Sequence, residues 1–121
     1  MLVLSKLPKT WIIDIDGTIF EHNGYLKGKD RLLPGVKDFM SQIPENDFVL
    51  LITARTKESE KQLKEGLKEF GIRFNQIIFG APFGERILIN DLKPSGLSTA
   101  IAVNVKRDSG LNIEVKYSDD L

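Results

Sequence analysis

The chain has 121 residues, 41% of them apolar and 28% charged, and it contains no cysteine. That length favours one domain, with roughly 65% of the unfolded chain's surface buried on folding, and the lack of thiols excludes disulfide scaffolds, thiolate metal sites and cysteine nucleophiles. Seventeen basic residues balance seventeen acidic ones, so the basic excess or stripe of a phosphate-neutralising nucleic-acid binder is missing.

The start, MLVLSKLPKTW, lacks the basic-then-apolar order of a signal peptide. No apolar run is continuous enough to span a bilayer. The expectation is a cytoplasmic protein with neither a membrane nor a nucleic-acid partner. Trp11 to Ile15 is a short apolar, β-branched run and reads as a buried strand. Residues 19–33 carry Asn23-Gly24, Gly28 and several charges, the composition of a hairpin or flap. Pro34-Gly35 opens a helix, proline suiting its first turn, and Val36, Phe39, Met40 and Ile43 give it one apolar face.

Phe48 to Ile52 is the next strand. Thr56 is placed to cap the following helix, with Glu58 and Glu60 in its first turn, Leu63, Leu67 and Phe70 as its apolar stripe and Gly71 as its stop. Ile77 to Phe79, Ile87 to Ile89 and Ala100 to Val105 read as three further strands, with a turn at Lys93-Pro94-Ser95-Gly96; Ile113 to Tyr117 is ambiguous. Strands without clean alternation, separated by amphipathic helices, predict an α/β domain over residues 1–121. In it a mostly parallel sheet is covered on both faces.

In such sheets ligands bind beyond the carboxyl ends of the strands, and the chemically useful residues fall there: Asp14 and Asp16 at the first, Thr53 at the second, Asn90 and Asp91 at the Ile87–Ile89 run. Three carboxylates at one rim repel each other unless a cation joins them. Oxygen ligands favour Mg²⁺, and a single His, His22, argues against zinc. In Asp14-Ile15-Asp16-Gly17-Thr18, Asp14 can act as a nucleophile toward phosphorus and Asp16 as general acid and base. Gly17 permits a sharp exit from the strand and leaves N–H groups for phosphate. Thr53 can hydrogen-bond the transferring group, and Asp91 can hold Mg²⁺ opposite Asp14. Read singly, these residues are an acidic turn, a strand-end hydroxyl and an ordinary turn; the set carries the argument.

DIDGT after a strand, LLITAR ending the second and ILIND ending a later one resemble the haloacid dehalogenase superfamily over roughly residues 11–105, with the motifs in the family's order. The resemblance implies a three-layer Rossmann-like fold in which Asp14 is the nucleophile and Asp16 the acid/base, its main-chain carbonyl also binding Mg²⁺. Thr53 is the second-motif hydroxyl, Asp91 is a metal ligand, and Gly17, Ala54, Arg55 and Lys93 contact phosphate. Ala81-Pro82 stands where the family carries a Lys or Arg. The compensating cation must therefore come from Arg55, Arg86 or Lys93, with Lys93 and Arg55 favoured because each follows a strand end bearing a motif residue.

The intervals at 19–33 and 80–86 are too short for a globular cap. The chain is thus similar to capless phosphatases of sugar-phosphate and surface-polysaccharide pathways, which commonly form homo-oligomers. The expected activity is Mg²⁺-dependent hydrolysis of a small phosphorylated metabolite through an aspartyl-phosphate. A catalytically weak or inactive binding module on the same fold is the alternative. A phosphorelay receiver fits poorly, since the Ile77–Phe79 strand ends without an acceptor Asp.

Overall fold

A computed structural model describes all residues, 1–121. The run Trp11–Ile15 is realised as strand β2 (Thr10–Asp14), flanked in register by β3 (Phe48–Ile52), so that Ile13 lies beside Leu51 and Asp14 beside Ile52. β3 in turn pairs with β4 (Gln76–Ile78), and both pairings are parallel, in the order β2-β3-β4. A second, two-stranded parallel sheet joins β1 (Leu2–Leu4) to β5 (Val115–Tyr117). The ambiguous run 113–117 is therefore half strand, and its partner lies at the opposite end of the sequence.

Helix α1 (Val36–Ser41) and helix α2 (Glu60–Glu69) supply Val36, Phe39, Leu63 and Leu67 to a single buried cluster with Ile13, Ile15, Val49 and Leu51. Trp11 packs edge-on to Phe39, with ring centroids 5.8 Å apart, and its Nε1 donates to buried Asp47. The architecture is a small α/β domain with parallel strands in two sheets, compatible with a Rossmann-like fold. No helix is long and apolar enough to cross a membrane.

Four local expectations are corrected. Pro34 lies outside α1: Gly35, with φ of 76°, precedes the first helical residue, because the chain must turn there to let Leu111 approach. A Cβ on Gly35 would meet the Leu111 carbonyl oxygen at 2.3 Å. Thr56 makes no side-chain cap; a 3₁₀ turn at Lys57–Ser59 leads into α2 instead. Ile87–Ile89 and Ala100–Val105 form no strands. Strand propensity is realised only against a pairing partner, and residues 80–105 are instead held as a loop by the turn at 93–96 and by Asn90 bonding Thr99. Covering of both sheet faces fails for the same reason. The face carrying Ile13, Val49 and Leu51 is buried, but Ile12, Phe48 and Ile78 on the other remain exposed, and the apolar residues of the loop (Ile87, Ile89) stay in solvent rather than over them.

Candidate functional site

The carboxyl ends of β2 and β3 lie side by side, which brings the DIDGT and TAR segments together. After Asp14 the chain leaves the strand through Gly17, whose φ of 90° is open chiefly to glycine. The turn then collapses on itself: the N–H groups of Thr18, Ile19 and Phe20 all donate to the Ile15 carbonyl. The Gly17 N–H donates to Phe20 at 2.7 Å, so it is not the free donor anticipated for phosphate. The backbone N–H groups of Asp16 and Ala54, one on each strand end, have no acceptor within the chain.

Asp14 is the accessible carboxylate. Its side chain is 36% exposed, with Oδ1 accepting from Arg86 Nη1 at 2.6 Å and Oδ2 from Thr18 Oγ1 at 3.1 Å. Asp16 is sheltered and fully engaged. Its Oδ2 accepts from Thr53 Oγ1 at 2.8 Å, and its Oδ1 accepts from Arg55 Nε at 3.0 Å and Nη2 at 2.7 Å. Thr53, entirely buried, also accepts the Arg55 N–H at 3.0 Å, tying β3's exit to the acid it holds.

Arg55 has a second carboxylate. Asp30 takes Nη1 at 3.1 Å and Nη2 at 2.6 Å, and the Tyr25 ring lies 3.8 Å from the guanidinium carbon. Burial opposes the Arg55 charge, but the hydrogen bonds it donates to Asp30 and then Asp16 outweigh it and hold the guanidinium above its usual range. Four of its five N–H groups are spent on these partners. Arg55 therefore lacks a free face for phosphate, and its place in the site is to grip Asp16.

Asp91 and Lys93 lie on the exposed 80–105 loop. The Asp91 carbonyl accepts from Thr99, and Lys93 is part of the 93–96 turn. No group of three metal-ligating side chains converges anywhere in the chain. Asp14, Asp16 and Asp91 are thus not brought together, and both oxygens of Asp16 already have protein partners. The Mg²⁺ that the sequence resemblance implies would therefore fall to the Asp14 carboxylate and the Asp16 main-chain carbonyl, the Asp16 carboxylate being already engaged. Among the three candidate cations, Arg86 is the one that meets Asp14.

Sequence reading missed three contributors. Asp30 and Tyr25, on the flap, gave no signal beyond a charge and an aromatic in a loop. Arg107 lies across Gly17, its Cγ 3.2 Å from where a Cβ would stand, because Asp108 anchors the backbone there. The Asp108 N–H donates to Gly17, and its side chain accepts from His22 N–H at 2.8 Å. His22 has a buried Nδ1 without a partner. Comparison with known protein families, curated proteins and solved structures found no match for this chain.

Proposed function

We propose that the chain is a phosphatase of haloacid dehalogenase type, hydrolysing a small phosphorylated metabolite of the sugar-phosphate class. The observation that carries this reading is the pairing of an accessible Asp14, in contact with Arg86, with a second carboxylate two residues on that Thr53 and Arg55 hold fixed. Both lie where open parallel sheets bind ligands.

In the proposed reaction an Asp14 oxygen attacks phosphorus, the ester P–O bond breaks, and Asp16 protonates the leaving alkoxide. Water then attacks the aspartyl-phosphate, Asp16 takes its proton, and inorganic phosphate leaves as Asp14 is regenerated. Arg86, on Asp14 Oδ1, offsets the repulsion between that carboxylate and the incoming phosphate, and the free N–H groups of Asp16 and Ala54 are suited to phosphate oxygens. Mg²⁺, the cofactor expected from the sequence, would be held by the Asp14 carboxylate and the Asp16 main-chain carbonyl and would offset charge on the phosphate.

The test is phosphate release from a panel of phosphate monoesters, with and without Mg²⁺, by the wild type and Asp14→Asn. Turnover abolished by the substitution is expected. Turnover that survives it removes the mechanism. A binding module without turnover is the second reading, favoured by the position of Asp91 on the exposed loop. It is distinguished by calorimetric binding of phosphate with no hydrolysis of any ester.

A further inference from the structure

Asp30 is the most buried carboxylate in contact with the site, yet the proposed reaction does not use it. Its side chain is 3% exposed and that of Arg55 1%. A buried ion pair of this kind is costly to desolvate and is weak evidence for stability by itself. Here it joins two parts of the chain with different roles. Asp30 and Tyr25 belong to the flap, Arg55 follows β3, and Asp16 belongs to the DIDGT turn. Arg55 binds Asp30 through two oxygens and Asp16 through one. The planar fork therefore has its direction set by Asp30, while Tyr25 covers its face.

We propose, resting on the phosphatase reading, that Asp30 is the positioning residue of the site: through Arg55 it fixes where the Asp16 carboxylate points. Without Asp30 the guanidinium is free to rotate about its remaining bonds to Asp16, and the acid/base loses its angle to the ester oxygen. Small misplacements of this sort cost on the order of 10²-fold in rate. Ground-state binding of substrate, which falls to the backbone N–H groups at the strand ends, is untouched.

The experiment compares the full-length wild type, Asp30→Asn, Asp30→Glu and Tyr25→Leu on an alkyl phosphate ester, a hexose phosphate, whose leaving alkoxide requires protonation. Asp30→Asn is expected to lower kcat about 10²-fold with KM changed less than twofold, and Asp30→Glu to recover part of it. Tyr25→Leu removes the covering ring without stranding a charge, so it reports on the same fork should Asp30→Asn fail to fold. A parallel ¹⁵N spectrum of the Arg55 guanidinium reads the clamp independently of activity. Separate, slowly rotating Nη resonances are expected in the wild type, averaged in Asp30→Asn. Unchanged kcat in folded Asp30→Asn or Tyr25→Leu overturns the inference, as does a freely rotating guanidinium in the wild type. A wild type with a locked guanidinium and no turnover on any ester overturns the phosphatase reading instead.

Discussion

Arg86 and Arg55 illustrate how differently one residue type is used on two neighbouring carboxylates, Asp14 and Asp16. Arg55 is enclosed between two carboxylates and an aromatic ring, whereas Arg86 and its partner Asp14 are each more than one-third exposed. An exposed pair contributes at most about 1 kcal/mol to stability, but a cation beside a nucleophilic carboxylate offsets its repulsion of an anionic ester and lies within reach of the charged oxygens of the transferring phosphoryl group. Arg86→Ala should therefore leave the urea midpoint of unfolding almost unmoved while lowering kcat by about 10²-fold or more, measured on the same ester panel. Equal losses in stability and activity would assign Arg86 to the fold. The sequence pointed to Asp14, Asp16 and Thr53 because their spacing follows strand ends, a local property. It favoured Arg55 over Arg86 as the free cation because nothing local reveals that Asp30, twenty-five positions away in the chain, already occupies Arg55.

Among the elements, β2, β3 and α2 were legible from periodicity, since each pays its way in buried apolar surface within a few residues. β1 and β5 were not, having three residues each and partners at the far end of the chain. What holds β5 in place is a close backbone crossing. Gly110, with φ of 87°, lies so near Pro34 that a Cβ would stand 2.0 Å from its carbonyl oxygen, and the Leu111 N–H donates to that same oxygen at 3.0 Å. Gly110→Ala combines a strained conformation with a clash and should cost at least about 1–3 kcal/mol, read as a drop in the urea midpoint; an unchanged midpoint would mean the crossing is loose.

On β5 itself, Tyr117 donates to the Gln42 carbonyl at 2.8 Å, and burial, with a smaller contribution from the negative charge of Asp47, raises its pKa above the ordinary value of 10. The folded state then holds the phenol proton more tightly than the unfolded chain does. The resulting stability is complete below about pH 10 and declines as pH rises through the folded value. Chemical denaturation between pH 9 and 11 should show that decline in the wild type and a flatter profile in Tyr117→Phe.

At the scale of the whole molecule, one buried cluster unites both helices, the flap and Leu111, while residues 80–105 contribute little to it. Within that loop Phe83, Ile87 and Ile89 are each more than 80% exposed, and few backbone groups are paired. Local opening there costs little free energy, so brief trypsin treatment should cut first at Arg86, Lys93 being shielded by the proline that follows it, with β2, β3 and α2 intact by mass spectrometry. First cuts within α2 would contradict this ordering. The strands read at 87–89 and 100–105 express real propensity in Ile, Leu and Val. Propensity gives no information on whether an edge is paired, and the open edge of β2 is unoccupied by them here.

The seam between Gly17 and Asp108, with Leu111 on Pro34 behind it, also sets an order of events during synthesis. The DIDGT turn emerges from a ribosome well before the residues that seat it, a delay of roughly 5–20 s at ordinary elongation rates of about 5–20 residues per second. Throughout that interval the nascent chain exposes its acidic turn without its final support, so competence must arrive late and all at once, when the last strand closes beside the first.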